Sequence, residues 1–138
     1  MASGKTYVKI VSRTLGSAGT VTFSNIPQNF TDLVLVLDGL KSTAGTPGVG
    51  VRFNGDSSGL YSSTILEGNA SAAYSTRRGP NGTFLNCNGS NVGLNSSSPA
   101  TATFHIMNYS SSTVHKHVLQ KFSCATGTAS GVSAMVGL

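Results

Sequence analysis

The feature that most constrains the fold of this chain is how often its apolar runs are interrupted. Short apolar or alternating runs are separated by clusters of glycine, asparagine, serine and proline. Nowhere do apolar residues recur at positions i, i+3, i+4 and i+7 over three turns, as an amphipathic helix requires. The runs are about five to nine residues long, which is typical of β-strands. The pattern predicts an all-β protein of about eight or nine strands, a single antiparallel β-sandwich that resembles a jelly roll.

The predicted strands lie between these breaks. They span residues 6–13, 20–24, 33–37, 49–53, 61–66, 83–87, 101–109, 113–125 and 131–138. The run 33–37 is continuously apolar, which is typical of a central strand buried on both faces. Asn54-Gly55 predicts a hairpin turn because both residues tolerate positive φ. Residues 69–82 and 88–99 are predicted to be long polar loops.

Length and composition indicate one domain covering residues 1–138. Charged residues make up only 9% of the chain, against about a quarter in ordinary soluble domains. The hydrophobic share of 38% is nevertheless high enough for a core, unlike that of disordered chains. No apolar run approaches the roughly 18 residues of a membrane helix, and residues 1–5 lack the apolar segment of a signal peptide. We therefore expect a protein made in the cytoplasm, with no membrane partner.

The formal net charge is +5, but the lysines and arginines are scattered along the chain. The longest basic run is Arg77-Arg78, whereas nucleic-acid binding usually requires a clustered basic stripe with aromatic residues. We therefore expect no nucleic-acid partner. A mild positive charge instead suits docking on an acidic surface, either another protein or an anionic glycan.

Cysteine and histidine positions give little support to a metal site. Cys87 and Cys124 are isolated and lack C-x₂-C spacing, so we expect buried free thiols, with a disulfide as the alternative. His115 and His117 would share one face of a predicted strand, and the alternatives are an exposed pair or a metal-binding pair. His105 is expected to be structural. We predict no metal and no cofactor.

The acidic residues argue against catalysis. There are only four, namely Asp32, Asp38, Asp56 and Glu67. Asp32 and Asp38 bracket one predicted strand, which places them too far apart for a glycosidase pair. The segment 54–59 hints at a calcium loop but lacks further acids at close spacing. Because nucleophile, phosphate-loop and zinc-protease motifs are also missing from the sequence, we expect no enzymatic activity.

Several sequence motifs occur together over most of the chain. Residues 20–37 read Thr-Val-Thr-Phe-Ser-Asn-Ile-Pro-Gln-Asn-Phe-Thr-Asp-Leu-Val-Leu-Val-Leu, and residues 51–56 read Val-Arg-Phe-Asn-Gly-Asp. Residues 61–64 then read Tyr-Ser-Ser-Thr, and residues 106–113 read Ile-Met-Asn-Tyr-Ser-Ser-Ser-Thr. From about residue 14 onward the chain resembles a group of small virion proteins of tailed bacteriophages from aquatic hosts. That group comprises capsid-decoration, head-fibre and tail-fibre-like β-sandwich proteins.

The resemblance implies a structural protein on the exterior of the virion, which decorates or cements the capsid as a homotrimer in contact with the major capsid protein. Relatives continue beyond the position of Leu138, so the last strand is either shortened or completed by a neighbouring subunit. An open apolar edge favours association. The expected partner-binding residues are Arg77 and Arg78, in a predicted loop, and Val136 and Leu138, at the C-terminal edge.

The main alternative is a tail-fibre or receptor-binding module that binds host glycans. Such sites usually offer aromatic platforms with polar groups nearby, and Tyr61, Tyr74 and Tyr109 are the candidates. The chain has no tryptophan, and most of its aromatic residues fall in predicted strands, which favours the capsid role. A bacterial adhesin fragment is a weaker third reading because no export signal is apparent.

Overall fold

The computed structural model describes residues 7–43, 48–89, 91–125 and 131–137. In this part of the chain it forms eight β-strands and no helix. The strands are β1 (Leu33–Leu40), β2 (Gly50–Val51), β3 (Tyr61–Gly68), β4 (Ala73–Gly82), β5 (Leu85–Asn86), β6 (Ala100–Met107), β7 (His117–Cys124) and β8 (Gly131–Gly137). The predicted all-β, antiparallel class is confirmed.

Six strands form one antiparallel sheet in the order β1-β6-β7-β8-β3-β4, and β2 pairs with β5 as a separate ribbon. The consecutive strands β6, β7 and β8 are neighbours in the sheet. Strand β3 pairs with β8 on one side and with β4 on the other. The two edges of the sheet are therefore β1 and β4.

The core lies between one face of this sheet, here called the inner face, and a second layer of ribbon and loops. Strands β6 and β7 alternate strictly between buried and exposed side chains, as expected when only one face of a sheet is covered. Phe104 and Val118 are fully buried on the inner face, and Leu85, Cys87 and Val92 cover it from the second layer. This arrangement is compatible with a β-sandwich whose second layer consists largely of loops.

The prediction of a polar loop at residues 69–82 is wrong, because residues 73–82 form β4. Backbone hydrogen bonds to β3 hold this strand, and backbone pairing does not require apolar side chains. An edge strand is also where charged residues and proline are tolerated, since one row of its amides faces solvent. Arg77 and Arg78, expected in a loop, therefore lie on a strand opposite Thr64 and Ser63.

Strand β1 lies at an edge, not in the centre as its continuous apolar run predicted. Within the described residues it pairs with β6 alone. Leu33, Leu35 and Leu37 pack against the core, whereas Val36 is 64% exposed on the opposite face. The apolar run reflects apolar side chains on both faces of β1 and does not determine its place in the strand order; among the described residues, the face that carries Val36 stays largely exposed.

The strands predicted at 6–13 and 20–24 do not form within the described residues, since 7–32 contain no strand. The strand predicted at 49–53 shrinks to the two residues of β2. The turn at Asn54-Gly55 does form, with φ of 53° and 70° and a hydrogen bond from Asp56 N to Phe53 O of 3.0 Å. Its flanking strands pair elsewhere, so the turn is confirmed but the hairpin is not.

Candidate functional site

The most unusual surface of the molecule is the sheet face opposite the core, here called the outer face. Its exposed apolar side chains come from four strands: Val34 (37%), Val36 (64%), Leu66 (61%), Leu119 (46%), Val132 (62%) and Val136 (60%). Isolated exposed apolar residues are normal, but a contiguous set on one surface marks an interaction site. The outer face is therefore the candidate functional surface.

Strand register shows that these side chains form continuous rows across the sheet, because paired residues in an antiparallel sheet share a face. One row consists of Val34, His105, Leu119, Val136, Thr64 and Arg77. The next consists of Val36, Thr103, Lys121, Ala134, Leu66 and Ser75. Both rows carry basic and hydroxyl side chains among the apolar ones, and neither contains an acidic residue. The outer face is thus apolar with a positive bias.

Part of the outer face is concave and forms an open groove of about 770 Å³. Its lining includes Leu66, Tyr74, Thr101, Thr103, Lys121 and Val132. Hydroxyl groups and one ammonium group therefore border an otherwise apolar floor. This composition suits an apolar partner segment with an acidic or hydroxylated neighbour.

The structure brings two of the predicted partner-binding residues together and separates the others. Arg77 and Val136 lie in the same outer-face row, on either side of Thr64. Arg78 follows Arg77 along β4 and is in register with Ser63, which points to the inner side. Leu138 lies outside the described residues.

The three tyrosines considered for glycan binding do not form one platform. Tyr61 is only 6% exposed, and its hydroxyl accepts a 2.9 Å hydrogen bond from Phe53 N. Its ring is a core element and offers no open stacking surface, which corrects the expectation for this residue. Tyr109 is half-buried and donates to the Pro27 carbonyl. Tyr74 is 37% exposed on edge strand β4 and remains a candidate.

The histidines occupy different environments. His105 lies on the outer face, with Nε2 at 3.5 Å from Asp32 Oδ2, so it contacts an acidic neighbour as a structural histidine would. His117 begins β7, but His115 precedes the strand. The two therefore do not share a strand face as the sequence predicted. Among the described residues, no group of three or more potential metal-binding side chains is found.

A buried polar cluster was missed by sequence reasoning. Glu67 is only 3% exposed, and its Oε1 accepts hydrogen bonds from Asn91 Nδ2 at 2.6 Å and from Asn91 N at 3.4 Å. Asn88 is also buried and donates to Val92 O at 2.8 Å. Alternation along β3 could have revealed Glu67, because it continues the inward series Tyr61, Ser63 and Ile65. The cluster fastens the loop after β5 to the sheet.

Other polar and sulfur groups have structural environments. Cys87 and Cys124 are free and buried, which confirms the expected thiols. Burial raises the pKa of Cys87 to about 12 and also raises that of Cys124. The hydroxyl and backbone N–H of Ser58 both donate to Asp56, which lowers the pKa of this exposed carboxylate. Asp56 thus stabilises its own turn.

Comparisons with protein-family models, with curated proteins and with solved structures find no match to this chain. The described part of the molecule contains no helix that is long and apolar enough to span a membrane.

Proposed function

We propose that this protein is a structural subunit of a tailed-phage virion, a capsid-decoration, cement or head-fibre protein that attaches to the particle through its outer face. The single observation that carries the proposal is the exposure of six large apolar side chains across that face. The resemblance of residues 20–37, 51–56, 61–64 and 106–113 to phage virion proteins supports this class of particle. The outer face supplies a physical means of attachment.

Apolar burial provides the attraction in this proposal. Fully covering a valine or leucine side chain contributes about 1.5–3 kcal/mol, and less where the side chain is already partly covered. Association itself costs on the order of 4–15 kcal/mol in lost freedom. Several such side chains must therefore be covered together, which a continuous sheet face allows.

Basic side chains on the outer face would orient the protein on the capsid. Arg77 and Lys121 lie in the two outer-face rows, and these rows contain no acidic residue. An acidic patch on the major capsid protein would complement them, and such complementarity mainly affects specificity and association rate. Attachment by this route should weaken as salt is raised, because screening shortens the range of exposed charges.

The test is binding of the purified protein to emptied capsids of the phage that encodes it and, separately, to host cell envelopes. Saturable, stoichiometric binding to capsids without binding to envelopes supports the decoration role. Failure to bind capsids at micromolar concentration contradicts it.

A glycan-binding module is the second candidate, and one observation favours it. Tyr74 lines the open groove together with Lys121 and the hydroxyls of Thr101 and Thr103, and an aromatic ring beside polar groups is a common glycan-binding arrangement. Binding to host envelopes that is competed by host polysaccharide and lost in Tyr74→Ala would establish this function instead.

A further inference from the structure

We propose that residues 7–15, here called the arm, pair as an added strand with the free edge of β1 in a second copy of this chain. The inference concerns contacts between copies and does not depend on the particle to which the protein belongs. It uses the arm and the β1 edge, whereas the proposed attachment to a capsid uses the outer face.

The arm has the residue pattern of a β-strand, but it belongs to no sheet in the structure. Tyr7, Lys9, Val11 and Arg13 alternate with Val8, Ile10 and Ser12, and β-branched and aromatic residues favour strands. In the structure the arm has no strand pairing, and all its side chains are exposed. Tyr7 is 72%, Val8 60% and Leu15 55% exposed. Exposed apolar residues in a segment with strand-forming residues and no pairing favour association with another sheet edge.

The sheet offers two edges that such a strand could join. Within the described residues, β1 pairs with β6 alone and β4 pairs with β3 alone. Each edge therefore presents a row of backbone groups that no other strand covers. An added strand would satisfy these groups and those of the arm at the same time.

Charge and backbone chemistry favour β1 over β4. The arm carries Lys9 and Arg13 and no acidic residue. Strand β4 carries Arg77 and Arg78, so the arm would meet like charges there, which is unfavourable for residues opposite one another. It also contains Pro80, which has no N–H to donate. Strand β1 carries the exposed Asp38 and no basic residue.

A second copy is the inferred acceptor because the single chain leaves both the arm and the β1 edge unpaired within the described residues. The chain enters β1 through a segment fixed against the β6–β7 turn. Tyr109 N donates to Thr31 O at 3.2 Å, and Ser110 Oγ donates to Phe30 O at 3.0 Å. In the single chain the arm is exposed and forms no strand with its own β1 edge. Reciprocal exchange in a dimer, or a closed ring, would then fill the β1 edge of every copy.

The first test compares the full chain with Ile10→Pro and with the control Ala18→Pro by sedimentation over a range of concentrations. Proline at position 10 removes a strand amide in the arm, whereas residue 18 lies in a bend outside it. Because both sites are exposed, the monomer fold should survive, which circular dichroism verifies. We expect micromolar self-association of the full chain and of Ala18→Pro, and at least a tenfold loss in Ile10→Pro.

Three results would overturn the proposal. The full chain could remain monomeric throughout the micromolar range, or Ile10→Pro could associate as strongly as the full chain, which would assign association to another surface. Hydrogen exchange could also show the arm amides protected in a monomer, which would mean pairing within one chain.

Charge reversal identifies the acceptor edge. Lys9→Glu/Arg13→Glu and Asp38→Lys should each weaken association at low salt by about two- to fivefold, the range of exposed ion pairs. Combining all three substitutions in one chain should restore it, because the opposite charges then face one another again. If Asp38→Lys has no effect while Arg77→Glu strengthens association, β4 is the acceptor and the assignment to β1 is wrong.

Discussion

Val136 on β8 and Arg77 on β4 project from the same face of the sheet, one on each side of Thr64 on β3. Val136 and Arg77, which are 59 positions apart in the sequence, therefore contribute to one surface. Arg78 is in register with Ser63 on the other side of the sheet. Substitutions of the two arginines should thus differ in their effect on capsid binding.

Arg77→Ala should weaken capsid binding and reduce its salt dependence, because one positive charge is removed from the outer face. Lys41→Ala is the control, since Lys41 is an exposed cation outside the outer-face rows. Binding of both variants to capsids is measured at low and physiological salt. Equal affinities for Arg77→Ala and the wild type at both salt concentrations would remove Arg77 from the interface.

Gly89→Ala should destabilise the fold, because a Cβ built on Gly89 overlaps the buried Glu67 carboxylate. Relieving the overlap displaces Glu67 from Asn91, and overpacking of this kind costs roughly 1–3 kcal/mol. The measurement is the free energy of unfolding in urea. Gly16→Ala is the control, since no atom lies within 4 Å of its added Cβ.

A double-mutant cycle tests whether the destabilisation by Gly89→Ala arises from Glu67. In a Glu67→Ala background the overlapping carboxylate is gone, so Gly89→Ala should cost less than it does in the wild type. An equal cost in both backgrounds would show that the strain at Gly89 has another source.

Tyr61→Phe should lower the free energy of unfolding by about 1 kcal/mol, because the Phe53 amide loses its hydrogen bond to the tyrosine hydroxyl. Tyr74→Phe should leave stability unchanged, since Tyr74 is partly exposed at an edge. Thermal and urea unfolding of both variants provide the comparison. A wild-type stability for Tyr61→Phe would indicate that this hydrogen bond contributes little.

Alkaline pH should weaken the fold through Cys87. Burial raises the pKa of this thiol from 9.0 to about 12, so above about pH 9 the unfolded chain releases a proton that the folded chain retains. The stability associated with the protonated Cys87 thiol is therefore fully present below the pKa of this thiol in the unfolded chain. It is lost as pH rises toward the pKa of the thiol in the folded chain. At about pH 10 the loss is roughly 1.4 kcal/mol relative to about pH 8.

Cys87→Ala provides the reference for this effect. Other titrating groups are common to both proteins, so the difference in their pH dependence isolates the thiol. If the free energy of unfolding falls equally in both proteins over this range, the proton linkage does not arise from Cys87.

Strands with alternating side chains could be predicted from the sequence, and those with polar or unpaired segments could not. Residues 61–66, 101–109 and 113–125 alternate over a buried face and contain or overlap the observed β3, β6 and β7. Strand β4 was missed because Thr76, Arg77 and Arg78 resemble a loop, whereas its stability comes from backbone pairing with β3. Because backbone hydrogen bonds form with almost any residue type, the sequence gives little indication of them.

The outer face was only partly predictable for a related reason. The continuous apolar run of β1 correctly signals two apolar faces, but sequence does not say whether the second cover comes from the same chain. Val36 is 64% exposed, so the described residues leave much of this second face uncovered. The sequence indicates Arg77 as a basic residue in a predicted loop and Val136 as an apolar residue at the C-terminal edge. Only the strand order brings the two into one row.

The most direct test of the proposed attachment surface is the binding of Val136→Asp and Val114→Asp to emptied capsids. Both change an exposed valine to aspartate, at 60% exposure on the outer face and at 52% exposure in the β6–β7 connection, respectively. We expect Val136→Asp to lose binding while retaining wild-type unfolding behaviour, and Val114→Asp to bind like the wild type. Equal binding by both variants and the wild type would contradict attachment through the outer face.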